Sequence, residues 1–599
     1  MVWLTVLLWS LASAWIPRVL YLTTSKDGNG TLPQGAHLAL EEFSRHGAWV
    51  TFHDKSILYE PDSLQRYRIL IAPTLYDYHD QDRLLSLTYL DTLAMKNLLA
   101  WIQKGGLLVA GGNLGRNTLA GEDRYLSGQI LDRAEWPLGR AFGFDLKEVN
   151  LQGLSLRPTG ADPPLLEWFP DPIAGPLETE DWLLVPVNPD PDVVVLARWQ
   201  DDRRSFPAIT LRRYGKGAAL YFTTLLPLHP SFDGGWGDIP AILRFYHQLF
   251  RWSMGLRDRT VGISPWPAAA LAALSVTVDD GGSPEEYRYL VQALLDRVPR
   301  ITFFVTGHLN PDLVRFLKEN PRIELGNHSY SHPRFPDLSP AEARRQILLA
   351  RQILGPTPGF RFPYTMPSAA GILNLWLLGF SYQSSVDVNH LQFFRGALFP
   401  YNLVISPAPG LVLTTPLLEI SPVESDWAFY KKLARGEPYP ASEQARDREA
   451  FRAYLRTMWT IIREAGGAMV LLLHPMYAGH NPGLLEPVLT LLDSTRNDPE
   501  VWIASLEEIA RWWRTLHQVR VKVTEDPHGL RFQIVNLGSE PLDRFSLWME
   551  SPEDEPLPRV STSRGVRAVL TERWFGDTRR IYLVLRIPPG ESRVEVRWP

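Results

Sequence analysis

Between residues 270 and 517 of this 599-residue chain, short apolar runs recur with helix-patterned segments between them. "LAALSVTV", "RITFFVT", "RIELG", "GFRF", "FSYQSSV", "GLVLTT", "GAMVLLLH" and "VWIAS" each read as a strand. Seven or eight such strands separated by helices, over about 250 residues, predict an irregular (β/α) barrel, whose functional groups would stand at the C-terminal ends of the strands.

The flanking regions have other patterns, and a chain this long exceeds one core, so a multidomain α/β protein is expected. From "PRVLYLT" to about residue 257, strands such as "RYRILIAP" and "LLVAGG" alternate with helices such as "LDTLAMKNLLAWIQKGG". This predicts a doubly wound α/β domain over 15–257 with helices on both faces of a parallel sheet. "RRYGKGAALYFTT" (212–224) reads as a late hairpin, and "GISPWPAAA" (262–270) as a linker to a barrel at 265–517. The last stretch, 518–599, contains "VRVKVTED", "LRFQIVN" and "SRVEVRWP", which alternate polar and apolar residues around turns such as "DPHG" and "NLGSE". That is the pattern of an all-β sandwich. Residues 1–14 form an apolar segment ending in Ala12-Ser13-Ala14, expected to be a signal peptide of an exported protein. The segment is too short for a comfortable membrane span, and no later segment offers one.

Composition narrows the chemistry. There is no cysteine, which excludes disulfides, thiolate zinc sites and cysteine nucleophiles. Any metal must then be held by His, Asp, Glu or water. A net charge of −5 with 45% hydrophobic residues argues against a disordered chain and against a nucleic-acid binder.

Four strand ends carry candidate groups. "GNHSYSH" (326–332) sets His328 and His332 four apart, and its flanking Gly and Pro make it a loop. Two loop histidines are either hydrogen-bonding surface groups or ligands. "LSVTVDDGG" ends in Asp279 and Asp280. Adjacent carboxylates need a cation or proton between them, although "DDGG" is also good turn chemistry. "GFRFPYT" places Arg361 at a strand end, and "GAMVLLLHP" does the same for His474, whose role is structural or functional.

Taken in order, Asp-Asp-Gly, His-x-x-x-His, Arg-x-Pro-Tyr and Leu-x-His resemble the polysaccharide deacetylases of the NodB-homology type, carbohydrate esterase family 4, over about residues 270–515. The resemblance implies that Asp280, His328 and His332 hold a divalent cation, zinc first, with cobalt or nickel as alternatives. It implies Asp279 as general base, Arg361 as the cation that keeps Asp279 ionised, and the Tyr364 backbone N–H as an oxyanion donor behind Pro363. His474 would be the general acid. The family's fourth motif, D-x-x-D-W, falls on "DVNHL" (387–391), where Asp387 survives but His390 and Leu391 replace the later Asp and Trp. Either Asp387 is the orienter of His474 or that role is unfilled. Val278 stands where the family has Phe. Trp427, Tyr430 and Trp459 are candidates for sugar stacking, with core packing as the other use.

The N-terminal order "ILIAP…GGLLVAGGNLG" resembles the glutamine-amidotransferase-like fold. "AGGNLG" (110–115) occupies the turn where catalytic members carry cysteine, so sugar binding or scaffolding is expected there instead. The whole reading is an exported, metal-dependent N-deacetylase that releases acetate from an N-acetylated amino-sugar polysaccharide, with no nucleic acid partner and oligomeric state left open. Its alternatives are a catalytically impaired carbohydrate-binding or envelope-assembly protein, and an amidase or esterase with a different substrate.

Overall fold

A computed structural model describes residues 13–23, 30, 32, 35–73, 87, 89–112, 114–115, 130–177, 182–223, 239–255, 259–388, 396–408, 411–526 and 529–599. Residues 1–12 of the expected export segment, Asn113 of the "AGGNLG" turn, and His390 and Leu391 of the fourth motif lie outside the described residues.

The first sheet has eight strands. Trp49–His53, Arg18–Leu22, Ile69–Ala72, Leu107–Gly111 and Gly217–Phe222 run parallel. Ser205–Tyr214, Val194–Gln200 and Ser155–Pro158 then continue antiparallel. The expected doubly wound parallel sheet is thus parallel over one half only. The change comes at the hairpin between Tyr214 and Gly217, where Gly215 takes φ 62. A Cβ at Gly215 would press on the Gln103 backbone at 2.7 Å, so a glycine is needed there.

The second sheet has nine strands, in the order Tyr401–Ala408, Leu411–Glu419, Tyr382–Gln383, Gly359–Phe360, Ile323–Asn327, Ile301–Val305, Ala272–Val278 and Ala468–Leu473, with Val501–Ile503 also on Ala272–Val278. All pairs are parallel except the first hairpin. The expected barrel does not close: among the described residues no pairing joins the two edges of this curled sheet. The hairpin edge faces the first sheet instead. Asn402 Nδ2 donates to Phe52 O at 2.9 Å, and Phe52 N donates to Asn402 Oδ1 at 3.0 Å. The Asn402 side chain thus satisfies backbone groups of Phe52 on the edge strand of the first sheet.

The C-terminal residues build two antiparallel sheets, one of five strands and one of four. Each recruits a strand from elsewhere in the chain: Ser13–Trp15 pairs with Val519–Asp526, and Val261–Ile263 pairs with Leu542–Glu550. The sequence alternation appears as burial alternation, for example along Val519–Asp526. Val521, Phe532 and Val594 from one sheet and Leu547, Ile581 and Leu583 from the other belong to one apolar cluster, which continues through both larger sheets. No helix among the described residues is long and apolar enough to cross a membrane.

Candidate active site and metal centre

Strand Ala272–Val278, "AALSVTV", is buried along its whole length and delivers Asp279 and Asp280 to one end of the second sheet. The two glycines that follow permit a sharp exit. Gly281 (φ 99) and Gly282 (φ 118) both sit in the left-handed region. A Cβ on Gly281 would overlap Met476 Cε, and one on Gly282 would meet Met476 N at 2.9 Å. Ser283 then caps helix Pro284–Leu295, its side chain accepting from Glu286 N while Glu286 accepts from Ser283 N. The carboxylates are thus clamped between a strand end and a capped helix.

Asp279 is only 4% exposed. Arg361 is fully buried beside it and donates from Nη1 to Asp279 Oδ1 at 2.7 Å. The same guanidinium donates to Thr277 Oγ1 at 2.8 Å, Ser384 O at 2.6 Å and Ser384 Oγ at 2.7 Å, and it lies 4.3 Å from the Phe304 ring centroid. Burial pushes the Asp279 carboxyl up, but Arg361, His328 and His474 outweigh it and leave it below the ordinary carboxylate value.

His328 follows strand Ile323–Asn327, and His332 lies four residues on in a loop. Ser329 (φ 72) and His332 (φ 56) both adopt left-handed backbone. This strained geometry is held by Ser329 N donating to Asn327 Oδ1 at 2.8 Å and His332 N donating to Ser329 Oγ at 3.1 Å. His328 Nδ1 donates to Arg361 O at 2.8 Å, so in the neutral ring the lone pair sits on Nε2. That Nε2 is 3.6 Å from Asp280 Oδ1, and His332 Nε2 is 3.7 Å from the same oxygen. One ligand atom from each of Asp280, His328 and His332 lies within 4.8 Å of the others. Two neutral imidazoles and one carboxylate form a donor set that fits a divalent cation and leaves open positions. Burial lowers the pKa of His332 below the ordinary imidazole value, which favours the neutral, ligating form.

His474 ends strand Ala468–Leu473. Its Nδ1 lies 2.8 Å from Asp426 Oδ1, and its backbone N donates to Asp426 Oδ2 at 2.9 Å. Asp426 is completely buried. Burial would lower the His474 pKa, but Asp426, Asp279 and Asp280 reverse this and raise it. His474 is thus held by Asp426, where Asp387 was the candidate orienter; the charge of Asp387 acts on Glu419, Glu424 and Tyr454. Asp387 stands before a bridge that pairs Val388 with Val423, three residues short of Asp426. The signal in the sequence is the Asp426-Trp427 dipeptide, an Asp-Trp pair of the kind expected at 390–391.

Tyr364 has φ 59, and its exposed ring packs edge-on to His332 with centroids 4.5 Å apart. Trp427 is 45% exposed, whereas Tyr430 is buried with its hydroxyl donating to Leu484 O at 2.8 Å. Trp459 packs against the apolar core. Of the three aromatic candidates Trp427 is the most exposed, with Lys431 Nζ over its ring at 5.3 Å from the centroid.

A second convergence, Glu42, His46 and His247, lies on helices Ala36–Arg45 and Ile239–Met254 and the residue after the first. Its contacts of 2.9 Å are hydrogen-bond lengths, and Arg45 already pairs with Glu42 at 3.1 Å. It reads as a buried hydrogen-bond network.

With this geometry in view, comparison with known proteins is informative. Residues 271–372 match the polysaccharide deacetylase family. The deacetylase match takes in Asp279, Asp280, His328, His332, Arg361 and Tyr364, and it ends before Asp426 and His474. Over 103 residues the chain is 35% identical to the peptidoglycan-N-acetylmuramic acid deacetylase PdaC of Bacillus subtilis, covering 16% of this chain and 22% of that protein. Over 105 residues it is 29% identical to a peptidoglycan-N-acetylglucosamine deacetylase of Bacillus cereus, covering 17% of this chain and 38% of the relative. The chain thus spans well under half the length of either curated relative. The solved structure of the carbohydrate deacetylase Agd3 aligns over 97% of this chain and 99% of its own, at 11% identity and a TM-score of 0.37.

Proposed function

We propose that this chain is an exported, metal-dependent N-deacetylase that hydrolyses acetamido groups of an N-acetylated amino-sugar polysaccharide and releases acetate. The observation that carries the reading is a base and an acid, each held by its own buried partner, around one three-ligand set: Asp279 on Arg361 and His474 on Asp426, about Asp280, His328 and His332. The names of both curated relatives, peptidoglycan deacetylases, support the substrate class and an extracytoplasmic location.

Asp280, His328 and His332 would hold the cation, zinc before cobalt or nickel. When bound, the cation supplies Lewis acidity toward the acetyl carbonyl and lowers the pKa of water. Asp279, kept ionised by Arg361, takes a proton from the attacking water as its oxygen adds to the carbonyl carbon. The Tyr364 backbone N–H is assigned to the developing oxyanion. His474, its pKa raised by Asp426, gives its proton to the nitrogen as the C–N bond breaks. The free amine and acetate result. Trp427, exposed one residue from Asp426, supplies an apolar wall for the sugar.

The competing reading, an impaired enzyme retained for binding, rested on the lack of a carboxylate to orient His474. The Asp426 carboxylate on His474 Nδ1 supports the active reading. The first sheet is assigned to a cysteine-free, amidotransferase-like scaffold over 15–257, with the deacetylase part at 265–517 and a β-sandwich at 518–599. A panel of N-acetylglucosamine and N-acetylgalactosamine oligomers, assayed for acetate with added zinc, cobalt or nickel, tests the proposal. Acetate release that chelator abolishes supports it, and metal binding with no acetate from any oligomer refutes it.

A further inference from the structure

A cavity of about 530 Å³ opens where the first sheet meets strand Val519–Asp526. It lies at the N-terminal ends of the parallel strands, where Arg18 begins one strand and Arg68 directly precedes another. Open α/β sheets usually bind ligands at the opposite, C-terminal ends. This cavity is instead created where the C-terminal strand, through Val519, Arg520 and Val521, covers that end of the sheet beside Trp15 and Ile16.

Its charge is one-sided. Arg18, Arg66, Arg68, Lys104 and Arg520 line it, with no Asp or Glu, in a chain whose acids outnumber its bases 66 to 61. Among the described residues none of the five has an acidic partner. Arg18 is half-buried and donates from Nη2 to His517 O at 2.8 Å, leaving its other N–H groups available. Burial lowers the Arg18 pKa, and Arg520 and Arg66 lower it further, so the cations strain against one another. The rim also carries Trp15, 43% exposed.

We propose that this cavity binds an anionic saccharide, a sugar bearing carboxylate or phosphate, with Arg18, Arg68, Lys104 and Arg520 taking the charge and Trp15 the ring face. A bound anion relieves the repulsion among the cations, and the guanidinium fork matches either oxyanion. An indole ring offers the flat apolar surface that a sugar face packs on. The site holds none of the deacetylation residues, so it stands apart from that reading.

The test is titration calorimetry on the full chain with trigalacturonate, glucose 6-phosphate, inorganic phosphate and neutral chitotriose. The overall charge of −5 repels anions, so any anion binding reports a local site. The proposal expects one of the two charged sugars to bind more tightly than inorganic phosphate, and the tighter of them identifies the anionic group. Affinity should fall as salt rises from ~50 to ~200 mM. The double variant Arg68→Ala, Lys104→Ala should weaken binding about tenfold or more while thermal unfolding and acetate release stay unchanged. Trp15→Ala should weaken the sugar but not inorganic phosphate. The proposal is overturned if chitotriose or inorganic phosphate binds as tightly as the tighter of the two charged sugars, or if the double variant binds unchanged.

Discussion

Burial works against both proton-transfer groups of the site, and a paired charge overcomes it in each case. For Asp279 the opposing group is Arg361, and for His474 it is Asp426. Because Asp426 holds the His474 pKa above the ordinary imidazole value, the proton that the acid must donate persists to higher pH. Asp426→Asn should lower kcat by about 10²-fold or more. It should also move the alkaline limb of the pH profile of kcat/KM to lower pH, whereas loss of a merely structural contact would leave that limb in place. Arg361→Ala would strand a buried carboxylate and remove four hydrogen bonds. Denaturant unfolding should show a loss of about 3–5 kcal/mol. At this scale the sequence already held Asp279, Asp280, His328, His332, Arg361 and His474, because each stands at a strand end next to a Gly, Pro or His signature. Asp426 was not legible in this way. It acts across 48 residues of chain from a short turn with no strand of its own, and only its neighbour Trp427 marked it.

The elements that carry these residues depend on tight exits from the strands. The Asp279-Asp280 strand leaves through Gly281 and Gly282 beneath the segment that follows His474, where Met476 N donates to Gly281 O at 3.2 Å. Gly282→Ala adds left-handed strain and a contact with the Met476 backbone, and should cost about 1–3 kcal/mol together with most of the activity. Gly379→Ala is the control: φ is 76 there but nothing lies within 4 Å of the added Cβ. It should cost about 1 kcal/mol and leave activity intact. Comparing the two unfolding midpoints separates backbone strain from the clash. The strand runs themselves were readable because they are apolar and short. The open edge of the sheet was not, because its hairpin meets the first sheet through Asn402 and Phe52, a contact 350 residues apart that no local pattern encodes. The change from parallel to antiparallel in the first sheet was signalled only by the Gly215 hairpin.

Across the whole molecule, one apolar core links the sheets, and buried ionisable groups within it set the pH range of stability. His46 and His517 are held neutral by burial, with pKa values lowered to about 4 and about 3. Their contribution is lost as pH falls below 6.5, because the unfolded chain takes up the protons that the folded chain refuses. Glu41 and Glu419 are raised by burial to about 7 and about 8. Their contribution is present below 4.5 and lost as pH rises through those values. The two effects oppose one another between about pH 4.5 and 6.5, so denaturant midpoints measured with chelator present should form a plateau there and fall on either side. A steady rise in stability to pH 8 would contradict this. The recruitment of Ser13–Trp15 and Val261–Ile263 into the C-terminal sheets was likewise invisible locally, since three-residue strands carry no periodicity of their own. The central claim is that Asp279 is a base beside a metal set to which it does not belong. Metal content and acetate release should be measured on the same preparations of wild type, Asp279→Asn and His328→Ala. The account predicts about one ion per chain in the wild type and in Asp279→Asn, with acetate release lost in the latter, and loss of both in His328→Ala. Acetate release at the wild-type rate from Asp279→Asn, or activity in His328→Ala stripped of metal, would contradict it.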